Sequence, residues 1–416
     1  MPLEEMYKKI NEHEEYITKV LSRLIEIPTV VPPGEKYEDC ANYLRDLLKE
    51  YGWEVQVIKV PIEYAEKYIP KYKDYPRYIV LARLKGEAEK PILHFNGHYD
   101  VVPPGTGWTI TDPFKPKIID GKVYGRGATD MKGGIASILL TAKMLAEGRL
   151  SYQGTVEISF TPDEEIGGEC GVGYIVNEGI VKPDYCIIAE PSGVENIWFG
   201  HKGLVWFDII VKGKAAHGST PWLGVNAFEK MVEVAQALIK ELKPKVESKI
   251  SKYDYIYPEG KKATMNIGGE VHGGAKVNVV PDYYSFSIDR RVIPEETVGE
   301  AEKEVIEFIN NLKKKIPGLN VEVKIRTRMK PCLTDPSSKI CQVTSKACKE
   351  IIGKEPKLTV CIGGLDMRYY AYKGIETIVY GPGVLGIAHM SNEYIEVKDI
   401  LTVSKVYLKT LHELLK

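Results

Sequence analysis

Hydrophobic and polar positions alternate between two periods along this chain. Ile17, Val20, Leu21 and Leu24 follow the i, i+3, i+4, i+7 spacing of one helix face, with Pro28 soon after. Leu44, Leu47, Leu48 and Tyr51 repeat that spacing, and Gly52 stops it. From "WEVQVIKV" (53–60) the period drops to two, and strand-like runs follow at "YIVLARL" and "PILHFNGH". "IIDGKVYG" sets Asp120-Gly121 between β-formers, a hairpin turn signal. A helix over 132–147, a strand over 154–160, a helix over 171–180 and a strand over 184–189 come next. This alternation predicts an α/β domain with a mixed, largely parallel sheet sandwiched by helices.

After "AEPSG" the order changes. Strands at 204–213, 263–269, 282–292 and 320–327 and helices at 224–243 and 295–315 run β-α-β-β-α-β. That order predicts a ferredoxin-like α+β domain, four antiparallel strands covered by two helices. Ala227, Met231, Val234 and Leu238 share one helix face, as do Val305, Phe308 and Ile309. Beyond residue 330 the α/β rhythm returns, with a helix near 337–351, strands at 357–361 and 376–380, and a last helix at 396–415. The expected division is therefore one domain of residues 1–192 and 331–416, interrupted by an inserted domain of 193–330.

Length and composition narrow the class. A chain of 416 residues exceeds one compact core. Lys+Arg 56 against Asp+Glu 57 gives a net charge of −1, which offers no electrostatic basis for binding nucleic acid or an anionic membrane. No apolar run approaches 20 residues, and "MPLEEMYKKINEHEE" lacks an apolar signal core, so a cytoplasmic protein is expected. The seven cysteines are odd in number and form no CxxC pair, which argues against a disulfide framework and a cysteine-type zinc site. Scarce Gln with abundant Lys, Glu and Ile is a thermophile-like bias, under which intracellular disulfides cease to be excluded.

Candidate chemistry gathers where predicted strands end. "HFNGHYD" places His98 and Asp100 two apart on extended chain, so both point the same way and Asp100 can support a metal-bound imidazole. "GRGATDMKGG" sets Asp130 between a glycine-rich turn and a helix start, and "CIIAEP" leaves Glu190 at a strand end. "FTPDEEIGGE" puts Asp163, Glu164 and Glu165 side by side. In an open α/β sheet, ligand sites lie beyond the carboxyl ends of the strands, so these positions converge. A histidine with several carboxylates and no cysteine suits zinc, cobalt or manganese. So many acids need more than one dication, and two ions about 3.5–4 Å apart are the known solution in hydrolases. Adjacent Glu164 and Glu165 diverge, so one can bind metal while the other takes a proton from water.

In order along the chain, "GHYDVVPP", "GRGATDMKGG", "TPDEEIGG", "AEPSG", "AAHGSTP", "NVVPD" and "GPG…AHMSNEY" resemble the co-catalytic, two-metal metallopeptidase and amidohydrolase family. That family contains succinyl-diaminopimelate desuccinylase, acetylornithine deacetylase, aminoacylase and glutamate carboxypeptidase. The resemblance runs from about residue 10 to the C-terminus and includes the inserted domain. It implies two divalent ions, zinc foremost with cobalt or manganese as alternatives. His98 and Glu190 would bind one ion, Glu165 and His389 the other, with Asp130 bridging and Asp100 orienting His98. It also implies that Glu164 is the general base toward a metal-bridged water, and that the Asp130–Met131 bond is cis. His217 matches a histidine that stabilises the oxyanion across a homodimer interface formed by the inserted lid domain. Arg290 resembles the arginine that holds the substrate carboxylate, with Arg291 as the alternative and Asn266 as a further pocket residue.

Blander readings apply elsewhere. His13 and His412 fall on amphipathic helices as surface residues, and His94 reads as a satisfied core imidazole. The glycines at 125, 127, 133 and 134 fit no phosphate-loop spacing. Glutamate at position 190 resembles the desuccinylase, aminoacylase and carboxypeptidase branches. "IGGLDMRYY" carries Leu365 where desuccinylases tend to show Thr-Ser, although Asp366 and Arg368 remain. The expected activity is hydrolysis of N-acyl amino acids of the deacetylase or desuccinylase type, with metallo-carboxypeptidase or dipeptidase as the alternative. A non-catalytic ligand-binding protein on the same fold is the alternative from another class.

Overall fold

The computed structural model describes residues 2–148 and 150–416. The chain divides into two units: residues up to Phe199 with Thr334–Leu358 and Leu365–Lys416, and Gly200–Leu333 with Thr359–Gly364.

At the centre of the first unit, strands Thr155–Thr161, Ile92–His98, Tyr185–Ile188 and Glu376–Val379 lie side by side, all parallel. Tyr78–Lys85 and then Glu54–Lys59 extend the sheet antiparallel on one side. Val379 pairs antiparallel with Trp198 on the other. Thr155–Thr161 is buried throughout, as a strand covered on both faces must be. The helix Gly133–Gly148 is buried almost all round and packs on the strand Ile92–His98 and the C-terminal helix Val397–Leu414. Asp120 and Gly121 both have positive φ (49° and 74°), the backbone that the predicted hairpin turn requires. All seven cysteines are buried. Among the described residues no helix is long and apolar enough to cross a membrane.

Strands Gly203–Lys212, Thr264–Gly273, Tyr283–Val292 and Asn320–Met329 make an antiparallel sheet in the second unit, ordered second, third, first, fourth. Every other residue of the first strand (Val205, Phe207, Ile209, Val211) joins one core with Met231, Val234 and Leu238 and with Val305, Ile309 and Leu312 of the helix Val298–Lys315. That helix starts at a capping box in which Thr297 and Glu300 bond reciprocally.

The observed units differ from the predicted boundaries in three places, the smallest being the end of the second unit at Leu333 where residue 330 was expected. The expected change at residue 193 overlooks a strand, Asn196–His201, whose first residues belong to the first unit. Its short pattern runs directly into the longer alternation that begins at Gly203, so the two read as one. Residues 359–364 belong to the second unit, a brief return with no periodic signature of its own. A helix Leu3–Glu12 also precedes the predicted first one; only Met6 and Ile10 are buried in it, too few for a period.

Candidate active site

Parallel strands finish at a common edge, and the predicted acids and histidines lie there. His98 is the last residue of its strand, Glu164 and Glu165 follow Thr155–Thr161, and Glu190 lies two residues beyond Ile188. Gly134 and Gly381 abut the Ala189 carbonyl, where a Cβ would sit at 2.0 and 2.2 Å, so any side chain there would push Glu190 aside. Asp130 sits in the turn before the helix Gly133–Gly148, with non-helical dihedrals (φ −120°, ψ 98°) and a cis bond to Met131. His389 lies in the loop after Glu376–Val379 with φ 66°.

Two groups of ligating atoms result. His98 Nε2 is 3.2 Å from Asp130 Oδ1 and 3.4 Å from Glu190 Oε1. His389 Nε2 is 3.3 Å from Asp130 Oδ2 and 3.0 Å from Glu165 Oε2. Asp130 thus turns one oxygen to each group. Ligands held at zinc-type bond lengths in a tetrahedron are separated by about 3.3 Å, a spacing that both groups match. Oxygen and imidazole donors without thiolate complete the fit to two divalent ions.

The electrostatics agree. Burial, with Asp130 and Glu165 adding to it, pushes the Glu190 carboxyl up to about 7 although His98 pulls it down. Burial and then the charges of Glu190 and Asp366 raise Glu164 well above the usual carboxylate range. Hydrogen bonds to Asp130 and Glu165 push His389 up to about 10. Burial opposes the charge on His98, but Glu190, Asp100 and Asp130 outweigh it and raise that imidazole too. Asp130, Glu164, Glu165 and Glu190 are gathered about only two imidazoles, His98 and His389. Divalent ions supply the charge this cluster lacks.

Asp100 does more than the sequence suggests. Its Oδ1 lies 3.4 Å from His98 Nδ1, and its two oxygens accept the backbone N–H groups of Glu164 (3.3 Å) and Glu165 (3.1 Å). One carboxylate therefore aims a ligand of each group. Asp163, the third acid of the run, turns away into a buried pair: it accepts from Arg77 Nε at 2.8 Å and from the Tyr37 hydroxyl at 2.9 Å. Arg77 also donates to the carbonyls of Tyr72 and Pro33. Asp366 and Arg368 pack on the turn after Glu165. Arg368 Nη2 and the Tyr369 hydroxyl both donate to the Gly167 carbonyl. His94 is the satisfied core imidazole expected, with Glu157 and Ser159 each at 2.7 Å.

Within the second unit, His217 is exposed and bonds Ser219 Oγ at 2.7 Å. Arg290 and Arg291 lie on opposite faces of their strand. Phe286, Ile288, Arg290 and Val292 form the inward face of their strand, and Arg290 is completely buried. Its Nη2 is 2.7 Å from Glu296 and 3.4 Å from Glu304, so the guanidinium is committed to a buried ion pair. Arg291, one residue on, occupies the outward face with Asp289, which accepts from it at 3.0 Å. Asn266 is exposed and pairs in register with Asp289, on that same outward face. Arg126 and Glu393, which also brace the site, fall inside "GRGATDMKGG" and "AHMSNEY". Arg77 stood in no motif.

Comparison with known proteins agrees with this geometry. The chain is 30% identical over 413 residues (94% of this chain, 98% of the relative) to an uncharacterised metallohydrolase of Methanocaldococcus jannaschii. It is 34% identical over 304 residues (71% and 77%) to a succinyl-diaminopimelate desuccinylase of Nitratiruptor sp.. The fold matches that of human carnosine dipeptidase 1 with a TM-score of 0.79 at 18% identity, covering 100% and 99% of the two chains. Residues 94–413 match peptidase family M20/M25/M40. The chain belongs to that family, the dinuclear metallopeptidases and amidohydrolases.

Proposed function

We propose that this protein hydrolyses N-acyl amino acids at the amide bond, as a deacetylase or desuccinylase. The observation that carries the reading is Asp130 dividing its two oxygens between two histidine–glutamate groups, with the Glu164 carboxyl beside them and in neither. His98 and Glu190 would hold one ion and Glu165 and His389 the other, zinc first and cobalt or manganese in its place. Bound there, the ions would polarise the amide carbonyl and make water a stronger acid. Glu164, which burial and its acidic neighbours make a stronger base than an ordinary glutamate, takes in its ionised form the proton of the attacking water and passes it to the leaving amine. Asp100 keeps Glu164 and Glu165 in place through their backbone N–H groups.

The second unit acts in this reading as a ferredoxin-like lid and dimerisation domain. His217 would donate to the oxyanion from the partner copy. With Arg290 enclosed, Arg291 becomes the partner of the substrate carboxylate, beside Asn266. Support for a homodimer comes from the apolar side chains this unit leaves uncovered: Trp222 (75% exposed), Leu223, Phe228, Val232, Ile239 and Val277.

Dipeptidase or carboxypeptidase action is the second reading, favoured by Leu365 where a desuccinylase shows Thr-Ser. The test is release of free amine by the zinc- or cobalt-loaded protein from N-succinyl-diaminopimelate, N-acetylornithine, several N-acetyl amino acids and dipeptides with free carboxylates. Preference for one acylated amino acid supports the deacylase. Cleavage of dipeptides with little acyl preference moves the protein to the second reading. No release from any of them, with two ions bound, leaves a non-catalytic binding protein.

A further inference from the structure

We infer that Arg126 and Glu393 form a positioning pair that holds the Asp130 turn and the His389 loop in register, so that the second ligand group is assembled before any ion arrives. The inference rests on the two-metal reading above. Glu393 is wholly buried and receives four donors. Its Oε1 accepts the backbone N–H groups of Thr129 (2.8 Å) and Asp130 (3.0 Å). Its Oε2 accepts the Gly127 N–H (3.1 Å) and Arg126 Nη1 (2.6 Å). A carboxylate offers about four lone-pair sites, so this one is saturated. Three of its donors are backbone groups of one short turn, and the last of them is the N–H of Asp130 itself. The carboxylate therefore fixes the backbone from which Asp130 divides its oxygens.

Arg126 carries the restraint to the other side. Its Nη2 donates to the His389 carbonyl at 3.1 Å and to the Pro104 carbonyl at 3.2 Å, and Nη1 reaches the Met390 carbonyl at 3.2 Å. The guanidinium carbon lies 5.4 Å from the centre of the Trp108 ring, which covers it. His389 belongs to no strand or helix, and half its side chain is exposed (51%). Its backbone carbonyl bond to Arg126 is thus a principal restraint on where its imidazole points. The first ligand group is anchored differently. His98 ends a strand and is braced by Asp100, and Glu190 follows a strand pressed between Gly134 and Gly381. Loss of the pair should weaken the Asp130–Glu165–His389 group far more than the His98–Glu190 side.

The test titrates metal-free wild type, Glu393→Gln and Arg126→Lys with zinc against a competing chelator, counting bound ions by elemental analysis. Circular dichroism checks that each variant is folded. Glu393→Gln turns one acceptor oxygen into an amide donor facing N–H groups. Arg126→Lys keeps the charge and loses the fork to the His389 and Met390 carbonyls. Outer residues of this kind change metal affinity by about 10–100-fold. We expect a loss of that size for one ion and a change of no more than a few-fold for the other, with the larger differential in Arg126→Lys, because Glu393 also holds Asp130, which both groups share. Equal weakening of both ions, or wild-type affinity for both, overturns the inference. If Glu393→Gln does not fold, Arg126→Lys decides alone by the same criterion. Wild type that binds fewer than two ions overturns the two-metal reading instead, which separates the two failures.

Discussion

Asp163, Glu164 and Glu165 are consecutive carboxylates that meet three different surroundings. Glu165 faces His389, Glu164 faces Glu190 and Asp366 without joining either ligand group, and Asp163 turns into a pair with Arg77. Glu164→Ala should therefore bind two ions as wild type does and lose turnover by roughly 10²–10⁴-fold, the share of a positioned general base. Steady-state rates beside metal counts check this, and retained turnover would remove Glu164 from the mechanism. Asp163 makes a different prediction. Arg77→Met strands a buried carboxylate, at a cost of about 3–5 kcal/mol less what Asp163 recovers by taking a proton. Burial already raises that carboxyl to about 6 even beside Arg77, so the recovery is real. Urea unfolding should show Arg77→Met combined with Asp163→Asn more stable than Arg77→Met alone. The ligand residues were legible because each stands in its own short motif. Arg77 and Tyr37 were not, because they reach Asp163 across 86 and 126 residues of sequence and carry no local signature.

The strand Tyr283–Val292 shows what periodicity can and cannot decide at the scale of an element. Its alternation was clear in the sequence, and it assigns Arg290 to the face of Phe286 and Ile288 and Arg291 to the other. Resemblance of motif alone favoured Arg290. The period of two, carried one step further, would have chosen Arg291. The adjoining strand Gly203–Lys212 begins beside Lys202, whose Nζ donates to the Lys262 carbonyl at 2.6 Å over the Tyr255 ring. Burial, with Arg291 and Arg290 nearby, lowers that amine to about 8. The folded value lies below the unfolded one, near 10.4, so folding favours the neutral amine. The stability it contributes is complete above the unfolded value and is lost as pH falls through 8. At pH 7 the charge costs about 1–2 kcal/mol once solvent screening is allowed for. Lys202→Met should therefore gain in melting temperature relative to wild type most at pH 7, with the gain shrinking as pH rises from 8 toward 10. A difference independent of pH would show that the amine is not desolvated in the folded protein.

At the scale of the whole molecule, the order of elements was readable because a switch from parallel α/β rhythm to β-α-β-β-α-β leaves a visible seam. The exact seam was not, because the strand Asn196–His201 and residues 359–364 are too short to show a period. Association was legible only through the resemblance, and the structure adds a surface to test. Phe228, Val232 and Ile239 follow helical spacing and are all exposed, while Met231, Val234 and Leu238 on an adjoining face are buried. A helix apolar on two faces, one of them covered by its own core, has a second face to cover. Val232→Glu places a charge at the middle of that stripe. A stable interface buries about 1,200–2,000 Å² in total, and a carboxylate left unpaired within it is strongly unfavourable. Light scattering should show wild type as a dimer and Val232→Glu shifted toward monomer, with two ions still bound per chain. If His217 serves the partner copy, turnover falls in step with dissociation, and mixing Val232→Glu with wild type cannot restore it beyond the fraction of dimer reformed. A monomer with full turnover would place the oxyanion donor within one chain. A variant that stays dimeric would place the interface on another face of the unit.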